Sequence, residues 1–225
     1  RYPIMKDIMK FPDGKKIFFT SDTHFGHRNV INFAGRPFSS VEEMDEALVD
    51  NWNKIVPKDG IIFHLGDFVH DGASAWRRML SKLNGTIYLV MGNHDFDQTT
   101  MFDSNLGNMY FETYISPEHY SFNIGDIHYV VLNTILYDVS AFGEQYHYGL
   151  DDRAMQWLEE DLSYVPKTST VVTCSHAAMF KKKGTSPNGS HGAYNLNYGK
   201  YRDLLAQYAH VYSWAGHYHT NFYYN

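Results

Sequence analysis

At 225 residues with 44% hydrophobic side chains, the chain is long enough for a sizeable core, and a single domain over 1–225 is expected, with 1–16 as a lead-in arm. No apolar run approaches the roughly 18 residues that cross a bilayer, so no membrane span is expected. A net charge of −6 lacks the basic surplus that marks non-specific nucleic-acid binding, and a lone cysteine, Cys174, excludes an internal disulfide.

Ile17-Phe18-Phe19-Thr20 is a short continuous apolar run and reads as a buried strand. Val41 to Ile55 carries apolar residues at Val41, Met44, Leu48, Trp52 and Ile55, a helical spacing, with Ser39 or Ser40 at the cap and acids in the first turn. Gly60 restarts the chain into a strand over Ile61–His64. Ala73 to Leu83 reads as a helix closed by Asn84-Gly85, and a buried strand follows over Ile87–Met91. The signal from Gly107 to Tyr120 is poor. Tyr120–Asn123 and Ile127–Asn133, joined at Gly125-Asp126, read as a hairpin. Residues 135–149 are aromatic and irregular. Asp151 to Leu162 is an amphipathic helix with a capping Asp, Thr170–Cys174 a buried strand, and Lys181 to Gly192 a loop by composition. A helix from about Lys200 to Tyr208 leads into a last buried strand, Val211–Ala215. Strands alternating with helices around one hairpin make an α/β protein, in which ligands sit off the carboxyl ends of strands.

Thirteen histidines are the compositional anomaly, and several stand just past strand ends. After Ile17–Thr20 come Asp22 and His24 in SDTH; after Ile61–His64 comes Asp67 in LGDF; after Ile87–Met91 come Asn93 and His94 in GNHD. His176 follows Thr170–Cys174 in CSHA, and His217 and His219 follow Val211–Ala215 in GHYH. Two Asp, four or five His and one Asn give oxygen and nitrogen donors without a thiolate, a set for Mn, Fe, Zn or Ni rather than a sulfur-rich zinc site. So many donors exceed one four-coordinate ion and suit two ions about 3.5–4 Å apart sharing a carboxylate. Glycines at 66, 92 and 216 precede three of them, where the backbone must turn sharply. Two such cations can lower the pKa of a shared water and neutralise the oxygens of a bound substrate, so that a hydroxide held between them can attack it. No covalent nucleophile is then required, and Cys174 and Ser175 are not candidates.

Asp-x-His, Gly-Asp, Gly-Asn-His-Asp, a lone His and Gly-His-x-His, in that order, resemble the calcineurin-like metallophosphoesterase superfamily from about Lys16 to Asn221. SDTHFGH, RPF, NWN and HLGDF are similar to small bacterial phosphoesterases, and YSFNIGDIHYVVLN and GHYHTN to calcineurin-like proteins of gut bacteria. The resemblance implies a four-layer αββα sandwich of two mixed β-sheets flanked by helices, with the 120–133 hairpin in the second sheet. It implies Asp22, His24 and His219 for a first metal, Asn93, His176 and His217 for a second, and Asp67 bridging both. His94 is then not a ligand; it stabilises or protonates the leaving oxygen, and Asp95 orients it. The expected activity is hydrolysis of a phosphomonoester or phosphodiester, on a small-molecule substrate. A nuclease, or a silent metal-binding scaffold for another protein, is the alternative. The small relatives imply the cytoplasm and the domain-bearing ones export; the former is favoured.

Other candidates flank these motifs. His27 and Arg28 can touch the substrate phosphate or simply cap the following helix. His70 can support the metal site from behind. His64, His119, His128 and His210 read as core histidines, and Cys174 as a small buried hydrophobe. Lys181-Lys182-Lys183 can form a basic rim, and His147 and His191 lie in segments expected to border the cleft.

Overall fold

Short apolar runs punctuated by glycine set the strands. The computed structural model describes residues 16–70, 72–95, 117–140, 143–179 and 195–219. Ile17–Thr20 (β1), Ile61–His64 (β2) and Thr86–Leu89 (β3) form a parallel sheet in the order β1-β2-β3. Its crossovers carry helices: Arg28–Phe33 (α1) and Val41–Ile55 (α2) before β2, and Gly72–Leu80 (α3) before β3. Tyr120–Ile124 (β4) and Ile127–Leu132 (β5) are the expected antiparallel hairpin. With Thr170–Ser175 (β8) and His210–Ala215 (β10) they form a mixed sheet, order β10-β8-β5-β4, in which β10, β8 and β5 run parallel. Asp152–Ser163 (α4) and Tyr198–Leu205 (α5) belong to this half.

Because side chains alternate along a strand, each sheet has two faces to bury. Ile61 and Phe63 of β2 meet Phe122, Val131, Val172 and Cys174 of the second sheet. Phe63 stacks on Phe19 at 5.4 Å and on Phe122 at 5.0 Å. Its complete burial contributes roughly 1.5–3 kcal/mol. Ile62 turns the other way, onto Trp52 and Val56 below α2. On the far side, Val130, Leu132 and Val171 pack against Trp157, Leu158 and Leu162 of α4 and Tyr201 and Leu205 of α5. The layers are therefore helix, sheet, sheet, helix: the αββα sandwich expected.

The caps are those the sequence suggests. Ser40 accepts the Glu43 amide at 3.1 Å, and Glu43 accepts the Ser39 amide at 2.8 Å. Asp151 accepts the Ala154 amide at 2.7 Å at the start of α4. Element ends shift by a few residues. α3 stops at Leu80, α5 begins at Tyr198, and β3 stops at Leu89, although the Val90 amide still donates to the His64 carbonyl at 2.8 Å.

Three expectations are corrected. Residues 135–149 are not irregular: Ile135–Ser140 (β6) and Gly143–Gly149 (β7) pair antiparallel, and Asn195–Leu196 (β9) joins β7 in a small third sheet. The last strand is not buried. β10 is an edge strand with β8 as its ladder partner, and Tyr212 and Trp214 are exposed. His210, at its start, is exposed and is not a core histidine. The lead-in residues 1–15, Lys181-Lys182-Lys183 and His191 lie outside the described residues, while His147 falls on β7. Among the described residues, no helix is long and apolar enough to cross a membrane.

Candidate metal centre

Parallel strands put their carboxyl ends at one edge, and the site loops are stitched together there. The Asp22 amide donates to the Gly66 carbonyl at 3.0 Å, the His24 amide to Asp67 at 2.9 Å, and the Gly216 amide to His176 at 3.0 Å. Asp22, His24, Asp67, His217 and His219 all have φ between +51° and +72°. Each such left-handed residue other than glycine costs on the order of 1–3 kcal/mol. Among the described residues Asn197 alone joins them in this region. Backbone strain is thus concentrated on the donor positions read from the sequence. The glycines answer to crowding. A Cβ on Gly92 would stand 2.2 Å from the Asp67 nitrogen, and one on Gly216 would stand 2.7 Å from Asp22 Oδ2.

The donor atoms converge in two groups. Asp22 Oδ1 lies 3.4 Å from His219 Nε2, which lies 3.2 Å from His24 Nε2. His176 Nε2 lies 3.2 Å from Asn93 Oδ1 and 3.3 Å from His217 Nδ1. Asp67 Oδ2 stands between them, 3.5 Å from His24 Nε2 and 3.3 Å from His176 Nε2. Asp22, His24 and His219 form one possible cation site, and Asp67, His176 and His217 another. The donor chemistry fits divalent ions. His176 Nδ1–H donates to the Leu65 carbonyl at 2.8 Å, which aims the Nε2 lone pair into the cluster.

The electrostatics follow from burial around two carboxylates. Burial opposes the charge on Asp22, but hydrogen bonding to His219 and the charge of His176 hold its pKa at about 2. Burial likewise opposes ionisation of Asp67, yet its histidine neighbours, His176 first, hold it well below the carboxylate range. Burial drives His24 down to about 3. His176 is buried too, but Asp67 and Asp22 push its pKa up to about 9. The lone pair that holds this proton is the one a cation would take.

The GNHD turn behaves differently from the expectation in one respect. The His94 amide donates to Asp67 Oδ1 at 2.8 Å, and the His94 ring lies 5.1 Å from those of both His24 and His27. Its ring nitrogen also comes within reach of a group with His24 and Asp67. Asp95, however, does not aim the His94 ring. Its Oδ2 accepts the amides of Asp67 at 2.8 Å and Gly92 at 2.9 Å, and its Oδ1 accepts Phe68 at 2.8 Å and Val69 at 3.4 Å. A carboxylate with both oxygens committed to backbone N–H groups positions loops. Burial and the Asp67 charge push its pKa up to about 7 against those donors.

The flanking candidates divide. His27 is buried and occupies the N-cap position of α1, but its side chain does not cap the helix. Its Nδ1 instead meets His24 Nδ1 at 3.4 Å, and its ring stacks on His70 at 4.0 Å. Arg28 is exposed on α1. His64 is wholly buried as expected, and its Nε2 bonds Thr23 Oγ1 at 3.0 Å, inside the Asp22–His24 loop. His119 and His128 are buried, and so is Cys174, whose thiol burial pushes up to about 12. The sequence reading missed Arg36. Its guanidinium donates to the carbonyls of Asp22 at 2.6 Å and Thr23 at 2.8 Å, clamping the first donor loop. The RPF motif that carries it was the available signal.

The chain matches the uncharacterised protein MJ1445 of Methanocaldococcus jannaschii at 46% identity over 83 residues, 36% of this chain and 47% of that protein. It matches the Gene 66 protein of Mycobacterium phage L5 at 32% identity over 81 residues, 35% of this chain and 39% of that protein. The matched region thus spans less than half the length of either relative. A solved structure, the protein of unknown function AQ665 from Aquifex aeolicus, aligns over 84% of this chain and 92% of its own with 18% identity and a TM-score of 0.41. The sequence profile of the calcineurin-like phosphoesterases matches residues 15–221, nearly the whole chain, and the chain belongs to that family.

Proposed function

We propose that the chain hydrolyses a small phosphomonoester or phosphodiester with the help of two divalent ions. The observation that carries this reading is the position of Asp67 Oδ2, within 3.5 Å of a histidine from each of the two donor groups. Asp22, His24 and His219 would hold one ion, and Asn93, His176 and His217 the other, with Asp67 shared. When bound, such ions supply positive charge to the phosphate oxygens and lower the pKa of the attacking water. The chain's own groups do the rest. Arg36 and the Asp95 carboxylate fix the loops that carry the donors. His94, tied by its amide to Asp67, sits beside His24 and Asp67, and its ring stabilises or protonates the leaving oxygen. His27, beside His94, contacts the phosphate. Family membership supports a metal-dependent phosphoesterase, and the acidic net charge of −6 favours a small substrate over a nucleic acid.

The test is hydrolysis of p-nitrophenyl phosphate and bis-p-nitrophenyl phosphate by protein stripped of metal and reloaded with Mn, Zn, Ni or Mg, with metal content measured in parallel. Turnover that requires two ions per chain is expected. Protein that holds two ions and cleaves neither ester with any metal would overturn the reading.

A further inference from the structure

α1 ends on an aromatic residue that the core does not use. Phe33 is 60% exposed, yet its ring lies 5.6 Å from His27, 6.0 Å from His219 and 6.4 Å from His24. Other large hydrophobics are exposed among the described residues, including Ile55, Tyr164, Leu196, Tyr212 and Trp214. Of these, Phe33 alone has ring contacts to the site histidines. The ring is held there. Val30, one turn earlier, is completely buried, and the Arg36 amide closes the end of the helix onto the Ile31 carbonyl at 2.9 Å. The Arg36 side chain then bonds the Asp22 and Thr23 carbonyls, which ties the end of α1 to the donor loop.

The His24 and His27 rings stand steeply to the Phe33 ring, at 88° and 65°, and His219 is tilted to it by 38°, while 60% of the residue stays open to solvent and ligand. A phenyl ring cannot hydrogen-bond to a phosphate or a sugar hydroxyl. What it offers is a flat apolar surface on which a planar ring stacks. Asn29, exposed one helical turn before Phe33, lies on the same face of the helix. We propose that Phe33 forms a rim subsite for a planar aromatic group carried by the phosphate ester, either an aryl group or a nucleobase. This rests on the phosphoesterase reading and adds a substrate class to it.

The test measures binding of 5′-AMP, phenyl phosphate and ribose 5-phosphate to the metal-loaded protein, in wild type, Phe33→Ala and Phe33→Tyr. Stacking predicts that at least one aromatic ligand binds about tenfold more tightly than ribose 5-phosphate. Phe33→Ala should erase that advantage and Phe33→Tyr keep it, with two ions retained in each variant. An advantage confined to 5′-AMP identifies a nucleobase site, and one confined to phenyl phosphate identifies an aryl site. Equal binding of all three ligands, or an advantage that survives Phe33→Ala, overturns the subsite and leaves the phosphoesterase reading in place. Failure of all three to bind also overturns the subsite, while the phosphoesterase reading stands or falls by turnover of the two p-nitrophenyl esters.

Discussion

Asp95 and Asp67 lock each other's loops. Asp95 Oδ2 accepts the Asp67 amide at 2.8 Å, and Asp67 Oδ1 accepts the amide of His94, the residue before Asp95, at 2.8 Å. Each carboxylate therefore satisfies a backbone donor on the loop that carries the other. Asp67 keeps Oδ2 for His24 and His176, so one residue fixes the GNHD turn and serves both donor groups. Asp95 makes four such bonds, and through them sets the path of residues 67–69 behind the site.

Asp95→Asn should damage the site although Asp95 faces none of the donor atoms. An amide group cannot accept at both ends, so at least one pair of buried N–H groups would meet an NH2. Leaving a buried donor unsatisfied costs about 1–3 kcal/mol. The expected result is a lower melting temperature together with weaker metal binding. A variant with unchanged stability and unchanged metal affinity would show that the four contacts do not hold the loops.

Asp67→Asn separates the bridge from the scaffold. The substituted residue keeps an oxygen for the His94 amide and loses the charge between His24 and His176. Affinity for both ions should fall, by at least about tenfold, with the fold intact by circular dichroism. Loss of a single ion would argue that Asp67 belongs to one group only.

His94→Ala removes a ring and leaves the amide bond to Asp67. Two ions per chain should remain, and turnover should drop by roughly 10²–10⁴, the range for losing a general acid. Since His94 also reaches the group of His24 and Asp67, metal content is the decisive readout. If an ion is lost with the ring, His94 is a ligand.

Gly92→Ala tests the crowding directly. Its Cβ would fall 2.2 Å from the Asp67 nitrogen and 2.3 Å from Asp67 Oδ1, both deep in the site. Neither atom is the free end of a flexible chain, so the loops must part. Gly125→Ala is the control for substituting a glycine in a turn, because nothing lies within 4 Å of its Cβ position, although its φ of +57° carries its own strain. The first variant should lose metal binding and the second retain it.

The donor positions were legible because they recur at one place in a repeating unit, just past the end of a parallel strand. Apolar runs such as IFFT and IIFH mark both the strands and where they stop. The β6–β7 pair was not legible. Its register sets Tyr137 opposite Tyr146 and Asp138 opposite Gln145, an alternation that runs for only a few residues in each strand and is masked by the density of tyrosines around it. The partner of Asp95 was hidden for another reason. A carboxylate next to a histidine suggests a side-chain pair, but consecutive residues on a tight turn point apart, and backbone amides left open by the turn took the charge. Exposure of β10 was invisible because its composition matches that of a central strand, and edge position is a property of topology.

A last expectation concerns stability. His119 is buried, stacks on Trp157 at 5.5 Å, and accepts the Asn133 amide on Nδ1 at 3.2 Å. Burial, with Arg153 adding to it and Asp151 opposing, holds its pKa down at about 4 against an ordinary 6.5. Between those two values the unfolded chain binds a proton that the folded chain refuses, so the stabilisation is complete above about pH 6.5 and lost as the pH falls towards 4. At about 1.36 kcal/mol per unit the whole effect is on the order of 3 kcal/mol. Protonation at Nδ1 would also remove the acceptor for the Asn133 amide. Urea unfolding of His119→Gln across this range should show a shallower fall in stability than wild type, even if the variant is less stable at neutral pH. Parallel curves for the two proteins would mean that His119 keeps an ordinary pKa in the folded state and that other buried groups, His64 among them, carry the acid sensitivity.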